Sequence, residues 1–331
     1  MFVIESYSTA VFFCLITMIS WGSSSNTQKL VSPDWRIELF CWDYAFGIIV
    51  TSLIFALTIG SIGTEGRSFI DDIQQASNEN IANALLGGII FNAANILFIT
   101  AVSIAGMSVA FSVGSGLSLV IGVVVNYLTS PVGNANLLFL GVFLIIIAIL
   151  LNTTAYTRMS TAAKSISMKG LLISIASGIL MGLFFKYVAR SMFLNFKVPV
   201  AGKVSPYSAV FIFAVGFFIS NIILNTFIMF RPIVGTPVKF SYYLKGTFKN
   251  HLLGFIGGSI WCIGMSFSII ASDKAGTAIS YGLASGAIVV ASIWGIYFWK
   301  EFKTAPKGTN VILNAMLISF LLGLVLIVSS R

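Results

Sequence analysis

The chain has 331 residues, of which 57% are hydrophobic and 9% are charged, against about 45–50% and about 25% in an ordinary soluble domain. This composition excludes a soluble globular protein and indicates a chain that lies in lipid. The formal net charge of +9 would indicate a nucleic-acid partner in a soluble protein, but in a membrane protein Lys and Arg mainly mark loops that face the cytoplasm. We therefore expect the lipid bilayer, and no nucleic acid, as its surroundings.

Ten apolar stretches are long enough to cross the hydrocarbon core, which takes about 20 helical residues. In chain order they are 8–29, 39–61, 81–104, 107–128, 136–156, 170–192, 207–230, 250–271, 276–299 and 309–329. The longest gaps between them leave room for a short surface helix and not for a soluble domain. The first stretch follows Glu5 and is longer than the core of a secretion signal, so we interpret it as a retained span.

Three pairs of small residues in the first half return 170 positions later: Gly87-Gly88 as Gly257-Gly258, Ala105-Gly106 as Ala275-Gly276, and Ser115-Gly116 as Ser285-Gly286. This spacing matches the third and fourth spans to the eighth and ninth. It predicts a first five-helix repeat at 1–156, a connector at 157–169 and a second five-helix repeat at 170–331. Because five is odd, the second repeat enters the membrane from the opposite side. The predicted fold class is an all-α polytopic membrane protein of ten transmembrane helices in two inverted repeats, which would permit alternating access.

Cationic residues are distributed unevenly between the two sets of loops. Twelve of the nineteen Lys and Arg residues lie in loops after the odd-numbered spans, and seven lie on the other side. Since loop cations are enriched on the cytoplasmic side, we expect the connector 157–169 to be cytoplasmic and both termini to lie outside.

The first span ends in an unusually polar segment. On a helix, Trp21, Ser25 and Gln28 share one face and Asn26 lies on the neighbouring face. Polar groups cannot face hydrocarbon without cost. These residues therefore line a wet cavity that binds substrate, or the segment is simply the cytoplasmic end of the helix.

The third span carries Asn92 and Asn95, which are three residues apart and so are neighbours on a helix. Each amide has donors and an acceptor, which suits a neutral solute such as a ureide, a nucleobase or a sugar. The alternative is a hydrogen-bonded contact between helices. In the second half, Trp261 adjoins the equivalent positions and predicts an aromatic wall, and Tyr281 in the ninth span is a weaker candidate for the cavity lining.

Asp43 and Lys186 are ionisable residues inside predicted spans, where such groups are functional candidates. Asp43 is the first candidate for proton coupling, although it could instead cap the second helix or pair with Arg36. Lys186 is the second coupling candidate, although its ammonium could reach the membrane interface.

Signs of enzyme chemistry are missing from the sequence. The single histidine, His251, belongs to neither an HExxH nor a GxSxG motif, and the cysteines Cys14, Cys41 and Cys262 have no CxxC spacing. We expect no enzymatic activity, no cofactor and no metal site.

Several segments form a familiar series along the chain: Phe2-Val3-Ile4-Glu5-Ser6, Asp43-Tyr44, 56–63 (ALTIGSIG), Gly87-Gly88-Ile89, Val120-Ile121-Gly122 with Asn126-Tyr127, Ile223-Leu224-Asn225, 232–237 (PIVGTP), and Trp294-Gly295-Ile296 with Glu301. Together they resemble the plant ureide permease family over nearly the whole chain. The long hydrophilic central insertion of the plant proteins is missing, so the chain looks like a bacterial relative within the drug/metabolite transporter superfamily, near its glucose and rhamnose uptake branches.

The resemblance implies secondary active transport, commonly as proton symport, with allantoin, other ureides and uracil among the family's substrates. The polar first span and the asparagines of the third differ from the plant pattern and leave a sugar equally open. We therefore expect a permease of the inner cell membrane that imports a small neutral polar metabolite. An exporter of metabolites or drugs, and a membrane scaffold or sensor that does not transport, are the alternatives. A homodimer is also left open.

Overall fold

The protein is described by a computed structural model that covers residues 1–106, 109–159, 167–232 and 235–331. In these ranges ten helices have the length and composition of membrane spans: α1 (Tyr7–Lys29), α2 (Ile37–Leu57), α3 (Asn78–Ala105), α4 (Ala110–Thr129), α5 (Ala135–Met159), α6 (Met168–Ser191), α7 (Pro206–Phe230), α8 (Phe248–Ala275), α9 (Thr277–Phe298) and α10 (Thr309–Val328). Short helices at Phe69–Gln75 and Phe240–Tyr243 lie in the two long gaps, and the described ranges contain no β-strand. The predicted ten-helix, all-α architecture is confirmed.

Side-chain caps explain where five of the helices begin. In each, a Ser or Thr hydroxyl accepts a hydrogen bond from the backbone N–H three residues later, which satisfies one of the free donors at a helix start. These capping residues are Ser6, Ser77, Ser167, Ser205 and Thr247.

Glycines explain where two of these helices end. The helix α8 continues to Ala275, beyond the predicted end at 271, because Gly276 stops it with a φ of 82°. Gly106 ends α3 in the same way with a φ of 85°. Residues with a Cβ rarely adopt such angles. Positions 107–108 of the predicted fourth span, 160–166 of the predicted connector and 233–234 of the segment 232–237 lie outside the described residues.

The helices pack in a pattern that repeats between the two halves. The helix α3 packs mainly against α6 and α7, while α8 packs mainly against α1 and α2. The helices α5 and α10 pack against each other, and α4 contacts α6 and α9. Exchanging each helix with the one five places later leaves these main contacts in place, so the packing is consistent with two inverted repeats.

The repeat is also seen in single glycines where helices cross. A methyl group at Gly88 in α3 would overlap the backbone carbonyl of Phe213 in α7, and one at Gly258 in α8 would overlap that of Tyr44 in α2. Gly258 follows Gly88 by 170 positions and Phe213 follows Tyr44 by 169. Only glycine permits such close backbone contact, so both crossings depend on the repeated glycine.

A pair of hydrogen bonds repeats as well. The Thr17 hydroxyl of α1 donates to the carbonyl oxygen of Gly264 in α8 at 2.8 Å, and the Ser177 hydroxyl of α6 donates to that of Ala94 in α3 at 2.9 Å. The donors are 160 positions apart and the acceptors 170. These bonds fix α1 on α8 and α6 on α3 in matching ways.

The helices α4 and α9 are irregular at the matching Ser-Gly pairs. The first turns of α4, Ala110–Ser115, are wide π-type turns, and regular helix resumes at Gly116. The helix α9 is interrupted at Ser285-Gly286, between the segments Thr277–Ala284 and Ala287–Ile293. Irregular backbone within a membrane is tolerated where protein or a cavity surrounds it, and discontinuous helices commonly border binding sites in transporters.

We call the side of the molecule that carries both chain ends the terminal face and the opposite side the connector face. On the terminal face the loops are held by several polar contacts. The Asp72 carboxylate is fully buried, accepts a hydrogen bond from the Ser205 backbone N–H at 2.6 Å and pairs with Arg67. The Gln75 amide donates to the carbonyl oxygen of Lys203 at 2.9 Å. These contacts tie the loop before α3 to the loop before α7.

Candidate functional site

Four aromatic rings lie near the middle of the helices, and we call them the aromatic stack: Trp21, Trp261, Phe91 and Phe213. The two indole rings are nearly parallel, with centroids 5.5 Å apart. The Trp261 ring also packs against Phe91, with centroids 4.6 Å apart, and against Phe213, with centroids 5.9 Å apart. The Trp21 indole N–H donates to the carbonyl oxygen of Trp261 at 3.1 Å. The structure thus brings together Trp21 and Trp261, two predicted site residues from opposite halves of the chain.

Tyr281 is buried near the start of α9, between α4 and α6. Its hydroxyl lies 2.7 Å from the hydroxyl of Ser118 in α4 and donates to the carbonyl oxygen of Met181 in α6 at 3.0 Å. Its ring packs against Phe184 and Phe185. The residue therefore joins α9 to α4 and α6 as a buried connection.

Free space lies beside the irregular start of α4. Gly116 is buried, yet a methyl group added there would meet no atom within 4 Å. Gly122, less than two turns later, is the opposite case, because a methyl group there would overlap the Tyr281 ring. The two sides of α4 therefore differ: there is free space beside Gly116, and the Tyr281 ring fills the space beside Gly122.

The predicted polar residues of α1 lie at its connector-face end. Ser25 is exposed at a break in the helix, and Gln28 is exposed one turn later. The side-chain oxygen of Asn26 accepts a hydrogen bond from the Trp299 indole at 2.6 Å, and Ser23 accepts one from the Trp294 indole at 2.8 Å. This segment ties the end of α1 to the end of α9.

The two asparagines of α3 have different surroundings. Asn92 is buried and donates to the hydroxyl of Ser220 in α7 at 3.0 Å, which is the contact between helices considered as the alternative interpretation. Asn95 is half-buried and makes no hydrogen bond through its amide to any described residue. The amides of Asn26, Asn92 and Asn95 therefore do not share a hydrogen-bond partner in this conformation.

A cavity of about 230 Å³ lies between α2, α3 and α7 towards the connector face. In α3 the first lining residue is Ile96, next to Asn95. The lining combines aliphatic side chains with the polar groups of Glu38, Thr100 and Asn225. The Glu38 carboxylate pairs with Arg36 at 2.6 Å, and the Asn225 amide donates to the backbone oxygen of Glu38 at 2.8 Å. Arg36 thus forms its ion pair with Glu38 and not with Asp43.

Asp43 forms a polar cluster with two residues that the sequence did not connect to it. Both carboxylate oxygens lie 3.0 Å from Nδ1 of His251 in α8, and the Tyr243 hydroxyl donates to Oδ1 at 2.5 Å. The Asp43 side chain is 7% exposed and that of His251 is 28% exposed. A carboxylate and an imidazole at this distance can share one proton across the hydrogen bond.

Tyr243 lies outside the spans, in the short helix Phe240–Tyr243, and packs edge-on against His251 with ring centroids 4.7 Å apart. Burial, and then the hydrogen bond to Asp43, raises the pKa of the Tyr243 hydroxyl above its ordinary value. The hydroxyl therefore remains a proton donor to Asp43 near neutral pH. Asp43 and His251 both lie within two turns of a helix start on the connector face. The sequence therefore indicates a similar depth for the two residues, but not that they contact each other.

Lys186 lies far from Asp43, since it is near the terminal-face end of α6 whereas Asp43 is near the connector-face start of α2. It is half-buried and forms no ion pair with a described residue. The described residues also contain no cluster of three or more His, Cys, Asp or Glu side chains that could hold a metal ion.

The chain is similar to known proteins along nearly its whole length. The model of the ureide permease family matches residues 40–168 and 158–330. Ureide permease 1 of Arabidopsis thaliana is 24% identical over all of this chain and 99% of its own length. A Streptococcus pyogenes protein named for sugar uptake is 21% identical over 96% of this chain and 97% of its own length.

A solved crystal structure has the same fold, with a TM-score of 0.62 at 14% sequence identity, over 96% of this chain and 97% of that one. The family match covers nearly all of α2 and all of α3 to α10, including the irregular helices α4 and α9. Because the family model covers well over half of the sequence, the chain belongs to the ureide permease family.

Proposed function

We propose that the protein is a secondary active transporter that imports a small neutral polar metabolite across the inner cell membrane. The observation that carries this proposal is the aromatic stack at mid-membrane, beside two helices that are irregular at equivalent points. The names of relatives that refer to ureides and to sugar uptake agree with a small polar substrate.

The substrate packs against the exposed part of the Trp21 ring, which Trp261 supports from behind. Flat ureides and nucleobases stack on indoles, and sugars place their C–H faces on them. Asn95 supplies an amide without a hydrogen-bond partner in the described residues, and Asn26, Ser25 and Gln28 line the route towards the connector face. Tyr281 closes the route on the other side.

Transport proceeds by alternating access between two halves, 1–156 and 170–331, joined by the connector 157–169. The terminal face is held by the Tyr281, Asp72 and Gln75 contacts, while the cavity beside α3 lies towards the connector face. If the halves exchange conformations, the closed and open sides also exchange.

A proton drives accumulation through Asp43, with His251 as its proton-sharing partner. The titratable groups that contact Asp43 are His251 from α8 and Tyr243 from the short helix; Glu38, on its own helix, is held by Arg36. Because α2 and α8 belong to different halves, a proton held between Asp43 and His251 links the charge of the site to the relative position of the halves.

Counterflow in proteoliposomes tests transport itself. Vesicles loaded with unlabelled allantoin, uracil, glucose or rhamnose should accumulate the matching labelled solute, and Trp261→Leu should abolish the exchange while the purified variant still elutes as a single species. No exchange with any of the four would contradict import of this substrate class and favour an exporter of another compound.

Coupling is tested separately, with the solute that gives exchange. Asp43→Asn should retain counterflow, which needs no proton movement, but lose accumulation driven by an imposed pH gradient. His251→Gln should weaken accumulation in the same direction. The control is Asp71→Asn, at an exposed carboxylate on the terminal face, which should behave as the unmodified protein. Full gradient-driven accumulation by Asp43→Asn would remove Asp43 as the coupling group.

A further inference from the structure

A second cavity, of about 180 Å³, lies at the terminal face, and we call it the terminal-face pocket. Residues from the ends of α4, α6 and α8 and the start of α9 line it, among them Ser130, Met192, Phe193, Asp273 and Thr277. None of these residues belongs to the aromatic stack or to the Asp43 cluster. The terminal-face pocket is therefore separate from both of these groups of residues.

Asp273 places a carboxylate in this pocket, and its side chain is only 4% exposed. The ammonium of the next residue, Lys274, lies 2.8 Å from Oδ2, but it is not aligned for a hydrogen bond. Within the described residues Oδ2 accepts no hydrogen bond at all. The Lys274 ammonium therefore offsets the charge of Asp273 but leaves Oδ2 unsatisfied as an acceptor, and an unsatisfied buried acceptor is costly.

The neighbouring hydroxyl groups also present acceptors to the pocket. The Ser272 hydroxyl donates its proton to the carbonyl oxygen of Ile269 at 2.7 Å, and the Thr277 hydroxyl donates to that of Asn126 at 3.4 Å. Since a hydroxyl has one proton and two lone pairs, both oxygens keep lone pairs for another partner. The polar lining is therefore rich in oxygen acceptors.

Helix ends add further negative potential. The helices α4, α6 and α8 all finish at the pocket, since Ser130, Met192 and Gly276 directly follow their last residues and line it. The carboxyl end of a helix carries about half a negative charge. Only α9 contributes an amino end, at Thr277, so three negative ends face one positive end.

We propose that the terminal-face pocket binds a small alkali cation, for which Na⁺ is the probe. Asp273 supplies the charge, the hydroxyl oxygens of Ser272 and Thr277 supply neutral ligands, and Lys274 is the tethered counter-charge that the cation displaces. Oxygen ligands of this kind are those that hard cations prefer. The site is independent of substrate and of the Asp43 cluster.

The experiment uses the purified full chain in nanodiscs without any transported solute. The melting temperature is measured as NaCl replaces choline chloride at constant ionic strength and constant pH. Because an ion that binds only the folded protein stabilises it, the melting temperature should rise and saturate, by about 2–4 °C at saturation. A melting temperature that does not change as NaCl replaces choline chloride overturns the proposal.

Variants assign the response to this pocket. Asp273→Asn should abolish the Na⁺-dependent rise, whereas Asp71→Asn, at an exposed carboxylate on the same face, should keep it. Thr277→Val keeps the charge and shape and should raise the half-saturating concentration at least threefold, which serves as the test if Asp273→Asn does not fold. A response unchanged in both pocket variants contradicts the assignment.

Lys274→Gln distinguishes a bound ion from the tethered ammonium. Without the competing lysine, the half-saturating Na⁺ concentration should fall at least threefold. If Lys274→Gln lowers the melting temperature equally at every Na⁺ concentration and removes the response, Lys274 is the sole counter-ion and no external cation binds. Since no solute is present, that result would leave the proposed transport function intact.

Discussion

Trp21 and Trp261 stand 240 positions apart in sequence and meet as parallel rings at the centre of the molecule. Aromatic pairs gain about 0.5–1.5 kcal/mol beyond the area they bury, so the stack is stable without a ligand. The Trp21 ring is nevertheless only half-buried, and its free edge is available to a solute.

Replacing Trp21 with alanine should therefore weaken substrate binding more than it weakens the fold. We expect the half-saturating substrate concentration for uptake to rise about tenfold, which corresponds to about 1.4 kcal/mol. The control is Phe12→Ala in the same helix, where the side chain is 58% exposed on the lipid-facing surface. Equal effects of the two substitutions would contradict a role for Trp21 in binding.

The sequence indicated which residues were candidates for the site, but not which residues they contact. Trp21, Trp261 and Asp43 stood out because aromatic and ionisable residues inside spans are conspicuous. The partnership of Asp43 with His251 could not be derived, because it depends on which helices are neighbours and on which of their faces meet. For the same reason the pattern could not decide whether Asn92 faces a cavity or Ser220.

At the scale of helices, α4 and α9 differ from the rest because both are irregular at a Ser-Gly pair. The repeat was visible in the sequence, but the irregularity was not, since Ser and Gly also occur in continuous membrane helices. The ends of α3 and α8 were likewise visible in the sequence only as a repeated pair of residues. The repeated Ala-Gly pairs marked them, but only the positive φ angles of Gly106 and Gly276 explain why these helices stop there.

Two glycines of α4 provide a matched test of the interior. Gly116→Ala should be tolerated, with little change in melting temperature, because free space surrounds the added methyl group. Gly122→Ala should destabilise the protein by about 1–3 kcal/mol, as overpacking does, because the methyl group displaces the Tyr281 ring. Thermal unfolding of both purified variants checks this, and a larger loss for Gly116→Ala would refute the description of this space.

At the scale of the whole molecule, the number of helices and their order follow from the composition and the spacing of apolar stretches alone. The direction in which the molecule sits in the membrane rests only on the loop cations. The terminal face carries most of the acidic loop residues, and the connector face carries most of the Lys and Arg. This distribution predicts that the connector face lies in the cytoplasm.

Cysteine labelling in intact cells tests that orientation. In a Cys41→Ser background, in which the remaining Cys14 and Cys262 are buried, Thr64→Cys on the terminal face should react with an impermeant maleimide. Thr304→Cys on the connector face should react only after the membrane is permeabilised. Both threonines are exposed, so the reverse labelling pattern would mean that the molecule is inserted the other way round.

The parallel indoles of Trp21 and Trp261 have an optical consequence. Two chromophores at 5.5 Å couple their electronic excitations, which shifts their absorption and emission relative to isolated tryptophans. If a solute binds at the exposed part of the Trp21 ring, as proposed, it changes this coupling and the emission of the pair. The protein thus carries its own spectroscopic reporter, which can follow occupancy of the pathway without any attached dye.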